Sequence, residues 1–394
     1  MEKIKRKLDL IDISPKFICL FACCCAYSLF RAKAAFDIAP GLFLRLFLPF
    51  LVLGILLPIT VHITLRRGGR SWAARLAFWA GYSWMGFTLL FFFALTSIDV
   101  AALLLGTGSA LAGSIPELGY ASQLNRFLIS LFLSLVLWAY ALYEAFLPRV
   151  KRVVIETEKL PPAMGSLRLT QISDIHMGPV VGKKRAERIA GIVRGTRPDI
   201  LLSTGDFIDA KAEYLQGMEE IFGKLSVPMG KYAVIGNHEV SAGLEGALTF
   251  LEKSGFRVLR NETAAPGEAI CIVGADDKSA AGNEINGRGD SRFCENTRTG
   301  LFTLYLKHRP PKDGAGDNVV FDLQLSGHTH GGQLFPFRYV TLGHYPKLKG
   351  LYQLEGNKLL YVSAGAGTWG PPLRFLTPPE VTIIDLIQPA SRDR

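Results

Sequence analysis

Five of the chain's seven histidines stand where a short apolar run gives way to Gly, Asp or Asn. Leu167–Ile172 leads into Ser173-Asp174-Ile175-His176, Ile200–Thr204 into Gly205-Asp206-Phe207-Ile208-Asp209, and Tyr232–Ile235 into Gly236-Asn237-His238-Glu239. Leu301–Lys307 leads into His308, and Leu323–Ser326 into Gly327-His328-Thr329-His330-Gly331-Gly332. In extended backbone, residues i and i+2 share a side, so Asp174 and His176 face one point, as do His328 and His330. A lone histidine at a strand end is usually a satisfied structural residue. Five clusters in the order Asp/His, Gly-Asp, Asn-His, His, His-x-His are better explained as ligands of one site. A mixed Asp, His and Asn set suits borderline divalent ions such as Mn, Fe, Co or Zn, whereas an all-oxygen set would indicate Mg or Ca.

The elements that must position these clusters are short β-branched runs separated by helical stretches. Strands are expected at Leu167–Ile172, Ile200–Ser203, Tyr232–Ile235, Ile270–Val273, Leu301–Leu306 and Leu323–Leu325, with helices at Lys183–Arg194, Ala212–Leu225 and Leu244–Ser254. This alternation indicates an α/β layered core. Ligands of open α/β sheets bind outside the carboxyl ends of strands, where all five clusters fall. Further on, Gly350–Leu354 and Leu359–Ser363 flank Glu355-Gly356-Asn357 as a hairpin, and Val381–Leu386 reads as another strand. Asp276–Ser291, rich in Gly, Asn, Asp and Ser, reads as a loop.

Ser-Asp-Ile-His, Ser-Thr-Gly-Asp, Gly-Asn-His-Glu, the isolated His308 and Gly-His-Thr-His-Gly-Gly-Gln together resemble the five motif blocks of the calcineurin-like metallophosphoesterases, over about residues 166–388. Gly332–Pro336, Gly365-Ala366-Gly367, Pro372-Leu373-Arg374 and Pro379-Glu380 are similar to the membrane-associated bacterial branch of that superfamily. The resemblance implies a four-layer α/β sandwich, two mixed β-sheets flanked by helices, over residues 151–394. It also implies two divalent ions. Asp174, His176, Asp206 and His330 would hold the first; Asp206, Asn237, His308 and His328 would hold the second. Two ions ~3.5–4 Å apart supply the hydroxide and the neutralised phosphoryl oxygens that phosphoester hydrolysis near neutral pH requires. By the same resemblance His238 is free to protonate the leaving oxygen, and Asp209 orients it. An ordinary helix N-cap before residues 210–225 is an equally good reading of Asp209. Arg309 and Arg374 are candidate phosphate forks, set against the commoner role of an isolated surface arginine.

Residues 1–150 are different in kind. The whole chain has 49% hydrophobic and 20% charged residues, too apolar for disorder and above what a soluble globule needs. The N-terminal 150 residues carry fourteen Lys and Arg against seven Asp and Glu, so most of the net +10 charge lies there. No dense basic run with interleaved aromatics points to nucleic acid; a membrane surface is the expected acidic neighbour. Leu46–Leu65 and Leu76–Ile98 lack Asp, Glu, Lys and Arg and match the ~20 residues of a spanning helix. Phe127–Tyr143 is a third span, running through Glu144 to Leu147, and Phe17–Phe30 a shorter first one in which Ala32-Lys33-Ala34 also resembles a signal-peptide cleavage site. Residues 1–150 are thus expected to be an all-α membrane region of about four helices. Arginines 66, 67, 70 and 75, and Arg149, Lys151 and Arg152 after the last span, place the catalytic half in the cytoplasm of a multi-pass cell-membrane protein; Arg31, Lys33 and Arg45 then fall on the outer side, against the trend. With His62 and Glu144 as the intramembrane ionisable residues, both near span ends, an anchor is the expected role in preference to transport. The six cysteines form no C-x-x-C pair, which is compatible with a reducing compartment.

Two functional classes follow. One is a membrane-held hydrolase of a phosphomonoester, phosphodiester or pyrophosphate, with a small-molecule or lipid-linked substrate. The other is a non-catalytic membrane adaptor or sensor on the same fold. Every ligand position is filled, which favours the enzyme.

Overall fold

The computed structural model describes residues 15–43, 45, 49, 72–111, 123–280, 300–312 and 319–389. The chain divides into two compact units, Met1–Tyr143 with Pro371–Leu373, and Glu144–Gly370 with Arg374–Arg394.

The first unit is helical where described: α1 (Pro15–Phe36), α2 (Trp72–Leu111) and most of α3 (Gln123–Ala145). Each helix contains a stretch long and apolar enough to cross a membrane, namely Cys19–Phe36, Leu76–Thr107 and Gln123–Ala145. Apart from Pro49, the expected span Leu46–Leu65, with arginines 66, 67 and 70, lies outside the described residues. α1 and α2 both run further than the uncharged stretches of sequence suggest. Arg31 of α1 lies 2.6 Å from Asp99 of α2, and Tyr27 donates to the same carboxylate at 2.7 Å, so charges that would end a span when alone are paired within it. Asp99 and Arg31 therefore join His62 and Glu144 as ionisable groups in the apolar segments. Around them Ala32, Phe91, Leu95 and Phe127 form a small core, with Tyr27 edge-on to Phe92.

In the second unit the strands are β1 (Arg149–Glu156), β2 (Ser166–Ile172), β3 (Ile200–Ser203), β4 (Lys231–Ala233), β5 (Arg257–Val258), β6 (Glu262–Ala264), β7 (Ile270–Ala275), β8 (Phe302–Lys307), β9 (Leu323–Ser326), β10 (Gly350–Gln353), β11 (Leu359–Val362) and β12 (Glu380–Ile387). They form two mixed sheets, ordered β1-β12-β2-β3-β4-β5 and β10-β11-β9-β8-β7-β6. In the first, β2, β3, β4 and β5 run parallel; in the second, β7, β8, β9 and β11 do. Side chains two apart along each strand fill the space between the sheets. Leu167 and Leu169, Ile200 and Leu202, and Ile384 and Leu386 meet Ile270 and Ile272, Leu304 and Leu306, and Leu323 and Leu325 in one core.

Helices cover the outer face of the first sheet. α4 (Lys183–Thr196) buries Ala186, Ile189, Ala190 and Val193, spaced at i, i+3, i+4 and i+7, and packs on β12. α5 (Asn237–Lys253) buries Ala247, Phe250 and Leu251. The outer face of the second sheet, from Cys271, Val273, Tyr305, Leu360 and Val362, is covered by Val319 and Phe321. The expected helix over Ala212–Leu225 does not form as one piece. A 3-10 turn (Ala212–Tyr214) and a one-turn helix (Glu219–Gly223) lie either side of Gly217, whose φ of 82° is incompatible with a right-handed helix. α5 begins seven residues before the expected Leu244, because Gly243 (φ 109°) breaks it and hides its first turns from the apolar periodicity. β1 was legible only as a basic cluster. Its Ile155 is buried, and Arg152 reaches Asp385 of β12 at 2.7 Å.

Candidate metal centre

The carboxyl ends of β2, β3 and β4 and of β8 and β9 open onto the same region, and the five histidine clusters follow those strands. Three sets of donors lie within 4.8 Å of one another: Asp174, His176 and His330; His176, Asp206 and His238; and Asp206, His308 and His328. Asp206 belongs to two of them. Its Oδ2 is 3.1 Å from His308 Nε2 and 3.8 Å from His176 Nε2. His330 Nε2 is 3.5 Å from Asp174 Oδ1 and 3.0 Å from His176 Nε2, and His328 Nδ1 is 3.2 Å from His308 Nε2.

Holding so many polar groups together takes unusual backbone. Asp174, His176, Asp206, His328 and His330 all adopt left-handed φ, between 50° and 69°. Such non-glycine conformations cost of order 1–3 kcal/mol each and persist where surrounding bonds over-determine them. Here they do. Asp174 N donates to Gly205 O and His176 N to Asp206 O, both at 3.0 Å, and His328 N donates to the Asp174 carboxylate at 3.0 Å. Glu239 is the brace that sequence reasoning missed. Fully buried, it accepts the backbone N–H groups of Gly236, Asp206, Phe207 and Ile208 at 2.6–3.1 Å, fixing the turn that presents Asp206. The available signal was an acid as the fourth residue of Gly-Asn-His-Glu. Gly236 is required for close approach, since a Cβ there would collide with the Asp206 carboxylate.

Charge and burial prepare the donors. Burial and the neighbouring His238 push His176 down to about 4, and burial with nearby cations holds His328 and His330 well below the usual histidine range. These rings keep a lone pair near neutral pH. Burial alone would raise Asp206, yet His308 and His238 hold its carboxyl well below the usual carboxylate range. Burial alone would lower His308, yet Asp206 holds it up at about 10. His308 Nδ1 is 2.8 Å from the Thr204 carbonyl, the outer hydrogen bond that orients a ligating imidazole. Asn237 Oδ1 is buried without a hydrogen-bond partner, as an amide oxygen kept for a cation would be. Carboxylates, the neutral rings of His176, His328 and His330 and an orphaned amide oxygen fit borderline divalent ions, and a cation bound beside Asp206 would take the place of the proton that Asp206 holds on His308.

The remaining candidates separate. His238 is buried, with Nδ1 2.7 Å from Asp209 Oδ1 and Nε2 4.0 Å from Asp206. Asp209 caps no helix, since the following turn starts at Ala212 with Lys211 before it, so its contact is with the histidine. Trp369, edge-on to His238 at 6.2 Å, adds an aromatic wall; Gln333 clamps its backbone through both amide atoms, accepting from Trp369 N at 3.1 Å and donating to Trp369 O at 2.8 Å. Arg309 is partly exposed, held by buried Asp277 at 2.7 Å and reaching 3.1 Å from His328 Nε2. The expectation that Arg374 offers a fork to phosphate fails. Arg374 is fully buried and donates to the carbonyls of Gly367, Ala364 and His330, with Nη2 2.9 Å from His330 Nδ1. It buttresses the last histidine from behind.

A family model for calcineurin-like phosphoesterases matches residues 167–332. An uncharacterized metallophosphoesterase of Aquifex aeolicus is 38% identical over 260 residues, covering 65% of this chain and 98% of that protein. The chain belongs to the calcineurin-like metallophosphoesterases. It is a metal-dependent phosphohydrolase, and the adaptor alternative is set aside. Another metallophosphoesterase, from Bacillus subtilis, is 30% identical over 63% of this chain and 89% of its own length. A zebrafish transmembrane protein with a metallophosphoesterase domain is 32% identical over 70% of this chain, which spans 66% of that protein. The apolar helices of this metallophosphoesterase make it membrane-associated as well.

Proposed function

We propose that this metallophosphoesterase hydrolyses a phosphomonoester, phosphodiester or pyrophosphate bond with two divalent ions, Mn, Fe, Co or Zn. Asp174, His176, Asp206 and His330 hold one and Asp206, Asn237, His308 and His328 the other. The observation that carries this is Asp206, common to donor sets on both sides and able to bridge because a carboxylate has two acceptor oxygens. Bound there, the ions supply an activated water and neutralise phosphoryl charge. The chain's own residues do the rest. Asp209 takes the Nδ1–H of His238, leaving Nε2 to hold a proton for the departing oxygen. Glu239 keeps the Asp206 turn rigid. Arg309, aimed by Asp277, binds a phosphoryl oxygen beside His328.

The membrane region tethers the catalytic unit to a bilayer, and a lipid-linked phosphate or pyrophosphate is the substrate class this favours. The catalytic half, about residues 151–394, lies in the cytoplasm of a multi-pass cell-membrane protein, in keeping with Arg75 and the basic residues after α3. Arg31, which runs against that orientation, is paired with Asp99 inside an apolar segment and is not a free loop charge of the kind that sets topology.

The test uses full-length protein and a chromogenic phosphodiester. His238→Ala should keep its metal and lose turnover by ~10²–10⁴, whereas Asp206→Ala should lose both. Loss of metal from His238→Ala would make that histidine a ligand and overturn its role as acid.

A further inference from the structure

The first unit contains a charged cluster that the hydrolytic reaction does not use. Arg31 of α1 and Arg126 of α3 converge on one oxygen of Asp99 in α2, at 2.6 and 3.4 Å, while Tyr27 donates to the other oxygen at 2.7 Å. All four residues lie inside segments apolar enough to span a membrane, with the three charged ones toward one end of each: Arg31 five residues before the end of its stretch, Asp99 eight before, and Arg126 three after the start. Arg126 is nineteen residues from Ala145 along α3, ~28 Å at 1.5 Å per residue, which is about the thickness of the hydrocarbon layer. The cluster therefore sits at headgroup depth on the side away from the end of α3 that continues into β1. Phe30, Leu103 and Leu104 on the same helices are exposed, as lipid-facing side chains are.

The charges do not balance. Among the described residues two guanidinium groups share one carboxylate, leaving a net charge of +1 in a region where unpaired charge is costly. Moreover, Arg31 Nε and Arg126 Nε are both buried and have no hydrogen-bond partner among the described residues. Two unused N–H donors and one surplus positive charge call for an anion with several acceptor oxygens, and a phosphate matches guanidinium geometry through paired hydrogen bonds.

We infer that Tyr27, Arg31, Asp99 and Arg126 form a binding site for the phosphate of an anionic lipid headgroup, in the leaflet opposite the one next to β1. Arg31 and Arg126 supply the donors; Asp99 and Tyr27 hold Arg31 in place. The site shares no residue with the metal centre and does not depend on the proposed substrate.

The full-length protein, placed in nanodiscs of mixed phosphatidylglycerol and phosphatidylcholine and released in native mass spectrometry, tests this. Wild type should retain phosphatidylglycerol in preference, and Arg31→Gln with Arg126→Gln should reduce that retention roughly tenfold or more. Should the double variant fold poorly, Asp99→Asn gives the opposite sign: it raises the cluster's charge to +2 and should retain more phosphatidylglycerol. Unchanged retention in Asp99→Asn, or equal retention of both lipids by wild type, would overturn the inference. Retention should also survive millimolar inorganic phosphate, and displacement by it would overturn the lipid as the source of the anion.

Discussion

Replacing Glu239 by glutamine tests whether the metal centre depends on a brace that itself touches no substrate. The side chain keeps its volume and one carbonyl oxygen, which can still accept two of the four N–H groups now bound at Gly236, Asp206, Phe207 and Ile208. The amide NH₂ must face the other two, so two buried donors lose their acceptor. At about 1–3 kcal/mol for each unsatisfied group, the loss is about 2–6 kcal/mol, and the Asp206 turn with its φ of 51° is what relaxes. For a unit of this size that corresponds to a drop of roughly 5–20 °C in the calorimetric transition of the catalytic half. Metal retention should fall with it, since Asp206 belongs to two of the three donor sets. Calorimetry and elemental analysis of the full-length Glu239→Gln protein supply both readouts. A transition within 2 °C of wild type together with full metal content would refute the reasoning, because the four hydrogen bonds would then hold nothing in place.

Other outcomes follow from the same geometry. The cost of His238→Ala should grow with the pKa of the leaving group, small for p-nitrophenolate and large for an alkoxide; a factor independent of the leaving group would mean that His238 stabilises charge without transferring a proton. Arg374→Lys should reduce the yield of folded protein, because a lysine cannot serve the carbonyls of Gly367, Ala364 and His330 together; a selective rise in KM with normal folding would restore a substrate role. Burial alone would raise Asp277, yet His308 and Arg309 hold its carboxyl below the usual range, so its stabilising contribution is present above the unfolded value of about 3.9 and is lost as pH falls through the lower folded value. Asp277→Asn should abolish that acid-side loss and, by freeing Arg309, raise KM more than it lowers kcat. A reporter active only outside the cytoplasm, fused after Arg394, should be silent, and activity there would reverse the proposed topology.

Much of the site was legible because its ligands are tied to strand ends, and strand ends are marked by apolar runs stopping at glycine. Asp174, His176, Asp206, His308, His328 and His330 could be placed at strand ends from that alone, but the extended i, i+2 alternation expected of the Asp/His and His-x-His pairs is not what joins them: past the strands the chain turns through left-handed φ at Asp174, His176, His328 and His330. What the sequence concealed depends on tertiary context. Arg374 follows a Gly/Pro-rich turn as a surface arginine would, and only the folded chain places the Gly367, Ala364 and His330 carbonyls around it. Glu239 reads only as the last residue of the Gly-Asn-His-Glu cluster, and its four partners lie on two different loops. Among the elements, the Ala212–Leu225 helix failed at Gly217 and the start of α5 was hidden by Gly243, both cases of a positive φ that apolar periodicity does not register. In the membrane region, uncharged stretches marked the cores of α2 and α3 but not their full lengths. Asp99 looked like the end of a span until Arg31, Arg126 and Tyr27 were found around it.

The central claim is a two-ion centre bridged by Asp206, and metal stoichiometry tests it most directly. Full-length protein, purified and reconstituted with Mn, Fe, Co or Zn in turn, should carry two ions per chain by elemental analysis, and Asp206→Asn should lose most of both because Asp206 belongs to the proposed ligand sets of both ions. One ion per chain in fully folded protein, or two ions retained after Asp206→Asn, would contradict the account.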